Sequence, residues 1–175
     1  LPIIDQVLLA GHETTTNLIG NAMLVLLRDP ALMARVRGEP ALIETFLEEV
    51  LRFDAPIQCT YRRATADTAL RGTSVQRGQM VVPLWAAAGR DPAVFPRPEE
   101  FDLDRSNVRL HMGFGYGPHF CAGAELARLE ARIAFETLLA RLRAIELDSE
   151  ASDLAHLPSF AARGYRRIVL RFRGS

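Results

Sequence analysis

One cysteine loop, one polar run inside an apolar stretch and one acid–base pair at helical spacing are the parts of this sequence that could do chemistry. The loop is Phe114-Gly-Tyr-Gly-Pro-His-Phe-Cys-Ala-Gly123. Gly115 and Gly117 permit backbone angles that a Cβ disfavours, so the chain can turn tightly before Cys121. A helix that starts directly after the loop would aim free N–H groups, around Ala122 to Ala124, at the sulfur. The positive end of that helix favours the thiolate. A thiolate held this way suits a metal better than a disulfide. Zinc is a poor match: beside Cys121, His119 and His111 only Cys59 remains, and a structural zinc site wants four ligands, usually several of them cysteine. A catalytic cysteine with His119 as its base also fails, because two positions apart in a loop gives no base held by an orienting group.

The polar run is Gly11-His-Glu-Thr-Thr-Thr-Asn17. It interrupts a predicted helix from Ile3 to Arg28 whose two ends are apolar nearly all round, the pattern of a buried helix. Mid-helix threonines bond the carbonyl one turn back and tend to bend the helix. Two readings stay open at this point: the run faces a ligand, or it faces a neighbouring helix or buried water. The acid–base pair is Glu49 and Arg52, neighbours on one face of a helix predicted over 41–52. Glu49 falls at the edge of the apolar stripe Leu42, Ile43, Phe46, Leu47, Val50 and Leu51, which points to a partly buried pair. Glu48 falls on the solvent side.

The elements that must position these residues follow in order. A short helix spans 31–37 and stops at Gly38. Strands are predicted at 58–65, at 68–70 and 73–75 as a hairpin around Arg71-Gly72, and at 80–85 with an edge-marking Pro83. Residues 89–110 read as irregular, a long stretch of a kind that is commonly functional. A helix over 122–143 follows, with Leu126, Leu129, Ile133 and Leu138 as its expected buried stripe. Arg128 and Arg132 read as a solvated face. Two strands near 157–162 and 166–171 turn at Gly164 and close the chain. The fold class is mainly α with small β-sheets (α+β), with residues 1–175 forming part of a single domain.

Composition sets the outer limits. A chain of 175 residues buries enough surface for one core. Its 21 basic and 21 acidic side chains balance, so no electrostatic case exists for nucleic acid or an anionic membrane. Two cysteines, Cys59 and Cys121, make no disulfide framework and fit a cytoplasmic location. No signal peptide, membrane span or repeat is legible.

The motifs taken together resemble the cytochromes P450, the haem-thiolate monooxygenases. Phe114-x-Gly115-x-Gly117-x-His119-x-Cys121-x-Gly123 is similar to their haem-binding loop. Ala10-Gly-His-Glu-Thr-Thr15 resembles the oxygen-activating segment of their central helix. Glu49-x-x-Arg52 matches their Glu-x-x-Arg, with Arg105 where a third member of that triad is expected. Each motif is weak by itself; all of them in this order are specific. The wording is most similar to soluble bacterial members, and the resemblance is to their C-terminal half only, beginning on or inside the central helix at Leu1-Pro2.

The resemblance implies a haem b cofactor with Cys121 as the axial thiolate, and Phe114, Gly115 and Gly123 shaping the loop around it. It implies that Arg62 and His119 hold the haem propionates. Ala10 and Gly11 would leave room for dioxygen, and Glu13 and Thr14 would deliver protons as it is reduced. Pro56 and Ile57 would point into the substrate pocket, and Glu49, Arg52 and Arg105 would brace the irregular stretch. The implied activity inserts one atom of O2 into a small organic substrate, with electrons from NAD(P)H through a ferredoxin or flavodoxin-like donor. Docking of an acidic donor is the functional reading of Arg128 and Arg132. The alternatives are a non-catalytic binding or recruitment module of the same fold, or a truncated chain inactive without an N-terminal half or a partner chain. Two departures from the family's wording stand out: Gly89 replaces a common Asn before Arg90-Asp-Pro92, and Arg63 replaces an apolar residue beside Arg62.

Overall fold

The computed structural model describes residues 2–174; Leu1, where the expected start of the chain falls, lies outside them. The first helix, α1 (Pro2–Arg28), is continuous through the polar run. Thr14 Oγ1 donates to the Ala10 carbonyl at 2.7 Å and Thr16 Oγ1 to that of His12 at 2.8 Å. The threonines therefore satisfy their hydroxyls within the helix without opening it. Leu18, Ala22, Met23 and Leu26 are buried, but Ile3, Ile4, Val7, Leu8 and Leu9 are exposed. The expectation of a helix buried at both ends holds for its C-terminal half alone, because no described element packs over the first turns.

Asp29 closes α1 and caps α2 (Pro30–Gly38) by accepting from the amides of Ala31 and Leu32. This is the ordinary role of an N-cap carboxylate, with proline at a position that needs no donor. A turn of 3-10 helix (Pro40–Leu42) leads into α3 (Ile43–Phe53). From Phe46 to Arg52 every residue of α3 is buried, charged ones included. The placement of Glu48 toward solvent is thus corrected: α1 and α5 (Ala124–Arg141) close over that side. The core lies where α1, α3 and α5 meet, with the Phe46 ring 5.6 Å from that of Phe135 and 5.8 Å from that of Phe101.

The β structure is a set of two-stranded antiparallel pairs: β1 (Arg62–Arg63) with β4 (Met80–Val81), β2 (Thr68–Leu70) with β3 (Thr73–Val75), β5 (Leu142–Leu147) with β8 (Leu170–Gly174), and β6 (Asp153–His156) with β7 (Tyr165–Arg167). The expected hairpin forms in register, Leu70 opposite Thr73, and Arg71 and Gly72 both adopt the positive φ of a tight two-residue turn. The strand expected at 58–65 shrinks to two residues because its amides serve different partners: Gln58 bonds Ala161, Thr60 bonds Pro83 and Ala64 bonds Gln79. The strand expected at 80–85 ends at Val81, and Trp85 instead opens the short α4 (Trp85–Ala88). At the C-terminus the strand expected near 166–171 is divided between β7 and β8, and the one expected near 157–162 does not form. Residues 157–162 form a loop that pairs only through an isolated bridge from Ala162 to Ile57, while β5 takes over directly where α5 stops.

The stripe expected on α5 is also corrected. Leu126, Leu129 and Ile133 are exposed, and Leu138 is half-buried; Ala124, Ala131, Phe135 and Leu139 face the core. At 100° per residue the two sets lie on opposite sides, so α5 is apolar on two faces and only one is covered. Among the described residues no helix is long and apolar enough to cross a membrane.

Candidate functional site

The cysteine loop is built by its glycines. Gly115 and Gly117 take φ of 75° and 74°, where a side chain would be strained. Between them and the cysteine, Gly117–His119 forms one 3-10 turn. The loop closes on itself through the Cys121 amide, which donates to the Phe114 carbonyl at 3.0 Å. Cys121 is free and exposed, as are Tyr116, His119 and Phe120. α5 begins at Ala124 rather than Ala122, and the Ala124 amide donates to the Cys121 carbonyl instead of being left for the sulfur. Of the amides expected to serve the thiolate, that one is already engaged.

Glu49, Arg52 and Arg105 are brought together as one buried unit. Glu49 and Arg52 share two hydrogen bonds of 2.7 Å, and Arg105 Nε donates to Glu49 Oε1 at 3.2 Å. The rest of both guanidinium groups goes to backbone carbonyls of the irregular stretch: Arg52 to Gly89, Pro98 and Glu100, and Arg105 to Pro96, Arg97 and Glu100. The Asp102 amide donates back to Glu49 at 2.9 Å. A stretch without regular structure is thereby given partners for its carbonyls, which buried backbone requires. Gly89 belongs to this unit, because its carbonyl is one of the acceptors and a Cβ there would run into the Arg52 carbonyl oxygen.

A second buried carboxylate was missed. Glu48 accepts from Arg128 Nε at 2.6 Å and from His111 Nε2 at 3.0 Å, and is 1% exposed. Burial alone would raise its pKa; the hydrogen bonds from His111 and Arg128 outweigh it and bring the carboxyl down to about 2. Arg128, expected on a solvated face, is half-buried in this contact, while Arg132 remains exposed beside Glu136. The sequence carries no signal for this buried carboxylate, because two adjacent acids about 100° apart on an amphipathic helix can both reach water.

The remaining expected residues fall in separate places. On α1, Ala10, Gly11 and Glu13 are exposed and Thr14 is half-buried, and a Cβ added to Gly11 would meet open space. Asn17, by contrast, packs its side-chain amide closely against Gly164, where a Cβ would force that amide to move. The polar run thus divides, its C-terminal end serving packing and its N-terminal end presenting an open face. Pro56 is buried and accepts the Arg163 amide at 2.7 Å, and Ile57 pairs with Ala162. Next to them a cavity of about 420 Å³ is lined by Gln58, Cys59, Leu84, Ala87, Phe160 and Arg163.

The donor set decides what group could be held here. Among the described residues no three His, Cys, Asp or Glu side chains gather around one point. The residues do fit a haem: a single exposed cysteine sulfur leaves the other iron ligands to a macrocycle, and exposed Tyr116 and Phe120 offer apolar contact. Exposed Arg62 bonds only its neighbour's carbonyl at 2.9 Å and has no carboxylate partner among the described residues, so its charge is available to a propionate.

The cytochrome P450 family model matches residues 3–162. The chain is 42% identical to the biotin biosynthesis cytochrome P450 of Bacillus subtilis over 164 residues, covering 94% of this chain and 41% of that protein. It is 42% identical to the cytochrome P450 monooxygenase PikC of Streptomyces venezuelae over 167 residues, covering 95% of this chain and 40% of that one. Its fold superposes on cytochrome P450 CYP109Q5 from Chondromyces apiculatus with a TM-score of 0.91 at 39% identity, covering 98% of this chain and 44% of that one. The chain therefore spans about two fifths of the length of the relatives it matches.

Proposed function

Because the chain belongs to the cytochrome P450 family, we propose that it supplies the thiolate side, and part of the dioxygen side, of a haem-dependent monooxygenase. The observation that carries this reading is Cys121: a free, exposed sulfur on a loop whose turn two positive-φ glycines permit and whose closure is the Cys121–Phe114 hydrogen bond. The haem, when bound, supplies reductive activation of O2, pushed toward O–O cleavage by a thiolate ligand.

The chain's own residues have definable tasks. Cys121 would hold the metal through its sulfur, and the glycine turns keep side chains off the loop beside it. Arg62 and His119 hold carboxylates at its rim by charge-assisted hydrogen bonds. Gly11 keeps the space beside α1 free of a side chain. Glu13 and Thr14 move protons: the Thr14 hydroxyl, held on Ala10 at 2.7 Å, still has lone pairs to accept a hydrogen bond, and exposed Glu13 can exchange protons with solvent. Pro56 and Ile57 shape one wall for a small organic substrate. Two electrons from NAD(P)H, passed through a ferredoxin or flavodoxin-like donor, and two protons turn O2 and substrate into hydroxylated product and water. The reducing cytoplasm suits a free Cys121.

The absorption spectrum of the reduced, CO-bound protein tests the ligand: a red-shifted thiolate band is expected, and its absence would leave a haemless recruitment module as the better reading. Thr14→Ala tests proton delivery. Haem binding should be unchanged while electrons are diverted to hydrogen peroxide; full coupling in this variant would remove Thr14 from the mechanism.

A further inference from the structure

Glu48 is a buried carboxylate that the proposed function leaves without a task. Both its oxygens are engaged: Arg128 donates to Oε1 at 2.6 Å and to Oε2 at 3.2 Å, and His111 Nε2 lies 3.0 Å from Oε2. The Gly113 amide donates to His111 Nδ1 at 3.1 Å, which leaves Nε2 as the proton-bearing nitrogen that donates to Glu48. The Arg128 guanidinium lies over the Phe114 ring, 4.6 Å from its centre. Two arms thus run from one carboxylate to Phe114, one through its ring and one through the residue before it. Phe114 in turn accepts the Cys121 amide at 3.0 Å.

Simple tethering does not call for this arrangement. The exposed pair of Arg109 and Glu44 already joins α3 to the segment before the loop. A buried ion pair is often no more stabilising than apolar residues of the same volume. What the buried pair adds is direction, through a fixed guanidinium plane, and a balanced pair of charges beside the loop.

We propose that Glu48, His111 and Arg128 are positioning residues for Cys121, which orient Phe114 against the loop and, by keeping their charges balanced, set the reduction potential of the iron its thiolate would hold. This rests on the haem-thiolate reading above. Removing Arg128 leaves Glu48 buried without a guanidinium, and removing Glu48 leaves Arg128 with only the exposed, well-screened Glu125 carboxylate at 2.8 Å as counter-charge. A guanidinium that has lost its buried partner favours the reduced iron, and a carboxylate that has lost its guanidinium favours the oxidised one.

Spectroelectrochemical titration of the haem-loaded protein tests this, together with the rate of haem release to an apoglobin acceptor. Glu48→Gln is expected to raise the potential and Arg128→Gln to lower it. The double variant Glu48→Gln/Arg128→Gln should return close to the unsubstituted value while releasing haem about tenfold faster, the usual scale for losing an outer partner of a metal ligand. Glu44→Gln should change neither reading. Shifts of the same sign in the two single variants would overturn the proposal. Should a single variant fail to fold, the neutral double variant decides, and an unaltered release rate there would overturn it. A protein that binds no thiolate-ligated haem when unsubstituted would instead bring down the underlying reading.

Discussion

Arg52 and Glu49 meet across one turn of α3 in two hydrogen bonds of 2.7 Å, and neither side chain reaches solvent. Arg52 has five N–H donors and makes five hydrogen bonds, two to Glu49 and three to carbonyls of Gly89, Pro98 and Glu100. Lysine keeps the charge but has three donors. Arg52→Lys is therefore expected to destabilise the fold by about 2 kcal/mol or more, with at least two acceptors left unpaired. Glu49→Ala, which leaves two guanidinium groups buried without a counter-charge, should cost roughly 3–5 kcal/mol. Urea unfolding of each variant checks both, and a smaller loss for Glu49→Ala than for Arg52→Lys would contradict this account.

Gly89 is the second prediction. Its φ of −67° is open to any residue, so the constraint is space alone: a Cβ would strike the Arg52 carbonyl oxygen, which belongs to helix backbone and cannot swing away. Gly89→Ala should cost about 1–3 kcal/mol, the range for forcing atoms into a packed site. Gly38→Ala, where a Cβ meets nothing, is the matched control and should be nearly neutral. Thermal unfolding of the two variants under one condition separates them.

Much of this site was legible in the sequence, and the reason is local. Cysteine, glycine and the Glu49–Arg52 spacing act through short-range geometry that residue order encodes. The hairpin at Arg71-Gly72 was legible in the same way, since two residues with positive φ define the turn. Glu48, His111 and Arg128 were not, because what buries them is the meeting of α3 and α5, which lie 80 positions apart at the Glu48–Arg128 contact. The two faces of α5 show the same limit. Leu126, Leu129 and Ile133 have the larger side chains and invite assignment to the core, yet the face that packs against α1 and α3 is the one carrying Ala124, Ala131, Phe135 and Leu139.

The third prediction is a pH dependence carried by Glu48. In the unfolded chain this carboxyl takes up a proton near its ordinary 4.5, while in the folded protein it stays ionised down to about 2. Between those values the unfolded state binds more protons, so stability falls as pH falls through that window and is fully present above it. The contribution is roughly 2–3 kcal/mol, taken from the depth of the depression and trimmed for screening at Arg128. Glu48→Gln cannot titrate. Its stability should change less between pH 5 and about pH 2.5 than that of the unsubstituted protein, measured by urea unfolding at each pH. Parallel curves for the two proteins would assign the acid sensitivity to other carboxylates.

The last prediction concerns the uncovered apolar faces. Ile3 is 79% exposed and Leu9 72% on α1, and Leu129 and Ile133 are 43% and 50% exposed on the outward side of α5. Scattered apolar residues on a surface mean little, but two helical stripes of Ile, Val and Leu amount to a patch that water does not tolerate well at high protein concentration. The 175-residue chain by itself should therefore bind an apolar fluorescent dye and sediment as larger species as its concentration rises. Leu129→Glu with Ile133→Glu should reduce both effects while leaving the unfolding midpoint nearly unchanged, because neither side chain contributes to the core formed by Phe46, Phe135 and Leu139. Val36→Glu, in that core, should do the opposite: it should unfold the chain and increase dye binding. If the paired α5 substitutions lowered the midpoint as far as Val36→Glu does, the outward face of α5 would have to be packed within the chain itself, and the assignment of its two faces would be reversed.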